Sequence, residues 1–193
     1  MRRFLAPALA AALLLPTFAF AANAPAKLGE KAPDFSVEGV DGKTYTLESF
    51  KDAEAVVVLF TCTTCPVVKN YEERVAALAK KYKGKAAVVG ISCNNATESV
   101  EKLKAYAEKN EKISYPYAFD ANAASAKAYG AKATPHAFVL NKDREIVYSG
   151  AIDDSMSNPE TNYVDEIVGK IVAGEEVEPK STKAVGCSLK MKR

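Results

Sequence analysis

Cys62 and Cys65 stand with two residues between them at the end of the run Ala55-Val56-Val57-Val58-Leu59-Phe60-Thr61. A pair of cysteines so spaced can close a small disulfide and open it again, the chemistry of thiol–disulfide exchange. The attacking species in that chemistry is a thiolate, so its setting matters more than the spacing alone. Residues 55–60 are apolar and rich in β-branched valine, the pattern of a strand buried on both faces. After Pro66, the residues Val67, Val68, Tyr71, Val75, Leu78 and Tyr82 recur at the spacing of an amphipathic helix. Both cysteines therefore fall where a strand ends and a helix begins. A helix start gathers unpaired N–H groups and positive dipole, which favour a thiolate. The stretch reads as a redox site.

Two further cysteines, Cys93 and Cys187, make the count even at four. An even count permits disulfides in an exported chain, and the first residues point to export. Met1-Arg2-Arg3 is basic, Leu5 to Phe20 is apolar, and Ala19-Phe20-Ala21 is a small-residue cleavage pattern. The rival reading is a membrane anchor, but the run is short for a span and carries Pro7 and Pro16. Residues 1–21 are therefore expected to be a cleaved signal, leaving no stable membrane anchor and a periplasmic or secreted protein. Without Arg2 and Arg3, the 26 basic residues fall to 24, equal to the 24 acidic ones. A balance near zero argues against nucleic acid or an anionic membrane as the main partner.

The elements that must position the cysteines follow in order. Residues 22–33 form an Ala/Pro/Lys-rich lead-in, expected to be mobile. Asp34–Val40 and Thr44–Leu47 flank Asp41-Gly42, a hairpin dipeptide. Strand 55–60 and helix 66–82 come next, and 86–92 reads as a second buried strand. Asn95 with Glu98 predicts a capped helix through about Lys109. Tyr115–Phe119 is a short edge strand, given Pro116 inside it. Asp120–Tyr129 is Ala-rich and closes at Gly130. Residues 137–140 and 145–149 form a second hairpin. Val164, Ile167, Val168, Ile171 and Val172 line a last helix. The order predicts an α/β domain with a central mixed sheet covered by helices on both faces and an N-terminal β-hairpin.

Three features resemble the thioredoxin-fold redoxins: Ala32-Pro33-Asp34-Phe35 opening the domain, Cys62-Thr63-Thr64-Cys65 after a hydrophobic strand, and Ala133-Thr134-Pro135 before Phe138-Val139-Leu140. The chain is most similar to the peroxiredoxin-like (AhpC/TSA-related) proteins that join a Phe-Thr-Cys-x-x-Cys-Pro site, here 60–66, to a C-terminal Gly-Cys-Ser-aliphatic-Lys segment, here 186–190. The resemblance implies a thioredoxin-like domain over 22–178. Beyond it Lys180, Lys183, Lys190, Lys192 and Arg193, with no acid after Glu178, make 179–193 a basic tail that carries Cys187 and is expected to be solvated. The resemblance implies that Cys62, the more exposed cysteine, attacks a disulfide and that Cys65 resolves the mixed disulfide. It makes Pro135 cis, with the Thr134 backbone left free to pair with a substrate chain. Protein disulfides or dithiols are the implied substrates, with a redox partner that the sequence does not name. No nucleotide fingerprint is present and no cofactor is expected.

The leading function is an exported thiol–disulfide oxidoreductase. A thiol peroxidase is the runner-up. That chemistry calls for Thr or Ser three residues before the reactive cysteine and for a distant Arg. Leu59 stands three before Cys62, Cys62 three before Cys65, and Pro135 occupies the place of the Arg. A copper carrier using Cys62, Cys65 and His136 ranks below both, because such carriers show a longer cysteine spacing. A zinc site from all four cysteines ranks lower still. His136, the only histidine, is otherwise a surface or satisfied strand residue. For Cys93 and Cys187 two readings stand: a buried filler and a free thiol, or a pair at the active-site edge serving as staple or second redox couple. Strands 55–60 and 86–92, if parallel neighbours, put Cys93 on the same sheet edge as Cys62.

Overall fold

A computed structural model describes residues 25–192; the segment read as a signal, 1–21, lies outside them. The chain runs β1 (Val37–Gly39), β2 (Thr44–Tyr45), a 3-10 turn (Leu47–Phe50), β3 (Ala55–Thr61), α1 (Pro66–Lys81), β4 (Ala86–Ser92), α2 (Val100–Ala107), β5 (Tyr117–Phe119), α3 (Ala124–Tyr129), β6 (Ala133–Thr134), β7 (His136–Leu140), β8 (Ile146–Gly150), α4 (Tyr163–Val172), β9 (Lys180–Ser181) and β10 (Cys187–Ser188). Eight strands make one mixed sheet in the order β2-β1-β5-β4-β3-β7-β8-β9. The pairs β3–β4 and β4–β5 are parallel, whereas β3–β7 and β7–β8 are antiparallel.

Strand β3 lies at the middle of the sheet and every residue of it is buried. Side chains alternate across a strand, and the two halves of the core follow that alternation. Val56, Val58 and Phe60 pack with Val89, Ile91, Phe138 and Tyr129 on the face that α3 covers. Val57 and Leu59 pack with Tyr71, Val75, Val164 and Ile167 on the face covered by α1 and α4. A run apolar at every position is thus what a strand covered on both sides requires. Each fully buried Val, Leu or Phe contributes roughly 1.5–3 kcal/mol relative to exposure, which makes β3 the rigid base on which the cysteine turn is mounted.

Three expectations change. The lead-in is tied down rather than loose from residue 26 onward: Ala26 N donates to Ala128 O, Gly29 N to Ile146 O and Ala32 N to Arg144 O. Strand β5 is an interior strand, because the β1–β2 hairpin pairs onto its outer side. Pro116 is tolerated because it precedes the strand, where only its carbonyl is needed, accepting from Gly90 N at 2.9 Å. Helix α2 begins at Val100 with Ser99 as its cap, accepting from Lys102 N. Asn95 and Glu98 are released from capping and serve elsewhere.

Candidate active site: three cysteines at the start of α1

The chain leaves β3 at Thr61, turns through Cys62, Thr63 and Thr64, and enters α1 with Cys65 as the N-cap residue and Pro66 just inside. Proline suits that place because its missing N–H is one the first turn cannot use anyway. The turn is clamped from below. Buried Glu98 accepts from Thr63 N at 2.6 Å and from Thr63 Oγ1 at 2.5 Å through one oxygen, and from Ser92 Oγ through the other. A local capping pattern suggested another role for Glu98. The only sequence signal for this one was an acidic residue shortly after the carboxyl end of β4, next to β3.

Opposite the turn stands Thr134, wholly buried, with a cis peptide to Pro135. Its hydroxyl lies 3.3 Å from Cys62 Sγ, and its carbonyl oxygen lies 3.3 Å from Cys65 Sγ. The second distance is a contact only, since Cys65 carries no thiol proton: it is disulfide-bonded to Cys187, with Cα atoms 6.2 Å apart. That separation suits a disulfide. Cys62 is a free thiol. It is 1% exposed against 3% for Cys65, so the cysteine expected to be the more open is covered in this state.

The cover is the C-terminal tail. Strand β10 pairs antiparallel with β6, Cys187 opposite Thr134 and Ser188 opposite Ala133. Gly186 lies so close to the Thr134 carbonyl that a Cβ there would overlap it. Upstream, Gly150 lets Thr182 approach just as closely; Thr182 N donates to Ser149 O, and its hydroxyl accepts from Ala151 N at 3.0 Å. Downstream, Lys190 N donates to Asn94 Oδ1 and Lys192 N to Asn95 Oδ1. The segment that looked like a solvated basic run is backbone-tethered on both sides of Cys187.

One proposed pairing is not made, and His136 takes the preferred reading of a satisfied strand residue. Cys93 does not pair with Cys187. It continues the alternation of Val89 and Ile91 into the α3-side core, 3.5 Å from Ser125 Oγ and 3.8 Å from Asp120 Oδ2. Sharing a sheet edge with Cys62 is not enough, because its side chain faces into the core while Cys187 meets Cys65. Burial, with Asp120 adding, pushes the Cys93 thiol up to about 12, so it holds almost no thiolate near neutrality. Nor does His136 join the sulfurs. It stacks near Phe138; its Nδ1 accepts from Lys132 N at 3.3 Å, leaving Nε2 to donate to Ser149 Oγ at 3.1 Å. Among the described residues no group of three or more His, Cys, Asp or Glu side chains is placed to hold a metal.

His136 carries a pH prediction of its own. Burial, with the Lys132 charge second, lowers its pKa from 6.5 to about 4. Between those values the unfolded chain binds a proton that the folded chain refuses, so stability rises with pH across that window. The contribution is complete above about pH 6.5 and is lost as pH falls toward 4, up to about 3 kcal/mol at 1.36 kcal/mol per pKa unit. Urea unfolding between pH 7 and pH 4.5 is expected to show this slope, and His136→Asn to flatten it. An equal slope in the variant would assign the acid loss to other groups.

With the site in view, a family model described as the AhpC/TSA family matches residues 28–149. The thioredoxin-like protein YneN of Bacillus subtilis is 26% identical over 114 residues, 59% of this chain. The thiol-disulfide oxidoreductase ResA of Bacillus thuringiensis is 28% identical over 121 residues, 63% of this chain. The matched region spans 65% of the first relative's length and 68% of the second's. The crystal structure of an uncharacterized conserved protein from Geobacillus kaustophilus is 34% identical with a TM-score of 0.79, covering 86% of this chain and 93% of that one.

Proposed function

Because this chain belongs to the AhpC/TSA family, we propose that it is a thiol–disulfide oxidoreductase in which Cys62 exchanges with substrate disulfides and Cys65 resolves the mixed disulfide. The observation that carries this reading is the placement of Cys62 beside the Thr134 hydroxyl, one turn before α1, with Cys65 as the helix cap. Cys62 Sγ thus has a polar partner in the Thr134 hydroxyl, and the sulfur that resolves the mixed disulfide stands at the adjoining helix start. The Thr134 main chain, next to the cis proline, is the edge on which an extended substrate pairs, as β10 does here. Net flow, reducing or oxidising, follows the potential of the couple against its partner. The relative named as a thiol-disulfide oxidoreductase supports the class. Residues 1–21 complete the reading as an export signal, which places the protein in the periplasm or outside the cell. Among the described residues no helix is long and apolar enough to cross a membrane.

Peroxide chemistry is the weaker reading. Leu59 packs in the core on the α1 side, so no hydroxyl stands three residues before Cys62. Both described arginines are committed elsewhere. Arg74 bonds Asp153 and the carbonyls of Ser155 and Met156, and Arg144 bonds the carbonyls of Phe50, Lys51 and Ala53.

The test is to trap the intermediate. With Cys65 and Cys187 both replaced by serine, no second thiol remains in the cluster around Cys62. Reduced protein of this kind, mixed with insulin, is expected to accumulate a covalent adduct through Cys62 that dithiothreitol dissolves. Absence of the adduct, or its mapping to Cys93, would refute the assignment.

A further inference from the structure

We propose that Cys187 is a third catalytic cysteine: it takes over the disulfide from Cys62, closes the tail on the substrate edge, and is the sulfur at which a dithiol donor enters. The proposal rests on the oxidoreductase reading and adds a step to it. Its basis is a juxtaposition, since Cys62, Cys65 and Cys187 share one cluster with Val67 and Val68 and the disulfide present is Cys65–Cys187.

The chemistry balances without an outside oxidant. Exchange with substrate leaves a Cys62–Cys65 disulfide. The Cys187 thiolate attacks Cys65 Sγ; the Cys65–Cys187 bond forms, the Cys62–Cys65 bond breaks, and the electron pair leaves on Cys62 as thiolate. The proton shed by Cys187 is matched by one taken up at Cys62, and no electrons enter or leave. A dithiol donor then attacks Cys187, the half-buried residue of the pair, Cys65 being buried. Cys65 leaves as a thiolate at the helix cap, where the N-terminal dipole stabilises it. The donor's second thiol displaces Cys187, so the donor departs as a disulfide and the protein holds three thiols.

The tail is built to make this step intramolecular. Its anchors at Thr182, Lys190 and Lys192 are backbone hydrogen bonds that do not involve sulfur. They hold Cys187 near the site after reduction, and tethering of this kind raises effective concentration into the millimolar range or above. The glycines at 150 and 186 are where the tail lies against the fold too closely for a side chain. Because β10 occupies the Thr134 edge, the oxidised protein has its substrate groove filled and Cys62 covered. Tail and substrate thus take turns on one edge.

Peptide mapping decides it. Trypsin leaves Cys62 and Cys65 together on residues 52–69 and Cys187 on residues 184–190. Wild type is oxidised in a glutathione buffer, quenched in acid and alkylated with N-ethylmaleimide. The expected product is 52–69 linked to 184–190, with the maleimide on Cys62. An internal disulfide within 52–69 as the main form, with Cys187 alkylated, would overturn the proposal. Gly186→Val, which keeps every sulfur but cannot lie over the Thr134 carbonyl, should lose the cross-link in favour of the internal disulfide; an unchanged linkage counts against the relay. A redox titration supplies an independent reading. If Cys65–Cys187 dominates the oxidised protein tenfold, Cys187→Ser raises the midpoint potential by about 30 mV, whereas an unmoved midpoint overturns the proposal. None of these measurements uses turnover, so the proposed function can fail in the trapping experiment while the relay stands, or the reverse.

Discussion

Cys62→Ser is expected to bring catalysed insulin reduction down to the background of the dithiol donor, a fall of roughly a thousandfold or more, as removal of a nucleophile does. Serine is nearly isosteric and can keep a hydrogen bond to Thr134 Oγ1, where Cys62 Sγ now lies at 3.3 Å. The fold is therefore retained, and urea unfolding should move by no more than about 1 kcal/mol. What is lost is the anion, because a hydroxyl does not ionise near neutrality and cannot attack sulfur. Cys93→Ala is the matching control. Its thiol sits in the core with its pKa pushed up to about 12, so the variant loses some stability while its initial rate stays within about twofold. Equal rates for Cys62→Ser and wild type would move the nucleophile to Cys65 or Cys187.

The second large effect is on the turn itself. Glu98→Ala strips the acceptor from Thr63 N–H, Thr63 hydroxyl and Ser92 hydroxyl at once. A buried polar group left unpaired costs roughly 1–3 kcal/mol. Ser92 is buried, whereas half-exposed Thr63 can turn to water, so a total near the low end of the three, about 3 kcal/mol, is expected in urea unfolding. The loss should be shared by function, since the Thr63 backbone holds the Cys62–Cys65 turn in register with Thr134. Glu98→Gln can restore most of it: the amide oxygen accepts from Thr63, and the amide nitrogen donates to Ser92. A loss below about 1 kcal/mol in the alanine variant would mean that the clamp is replaced by water. Equal losses in both variants would mean that negative charge, not hydrogen-bond geometry, is what the turn requires.

The sequence by itself determined much of what depends on neighbours along the chain, the cap of α2 excepted. An unbroken apolar run marked β3 as a strand buried on two sides, and 3.6-residue periodicity marked α1. The junction between them placed the two cysteines at a helix start. Asp41-Gly42, the Ala-rich α3 ending at Gly130, and the hairpin of 137–140 with 145–149 were legible for the same reason, the last within one residue of β7 and β8. Thr134-Pro135 was legible only through resemblance.

The tertiary structure alone decided which distant groups meet. Glu98 was ambiguous because an acid near a helix start can cap that helix or reach a neighbouring strand end; which it does depends on the parallel pairing of β3 with β4. Pairing of Cys93 with Cys187 stood open because both fall near one sheet edge in the sequence reading. Edge and face are independent coordinates, however: strand alternation sends Cys93 into the core, and antiparallel pairing of β10 with β6 sets Cys187 opposite Thr134, beside Cys65. A tail joined to its target across 122 residues carries no local periodicity to announce its register. That register is set by where the chain has room, and the room is at Gly150 and Gly186, two residues whose lack of a side chain has meaning only once the backbone they touch is in place.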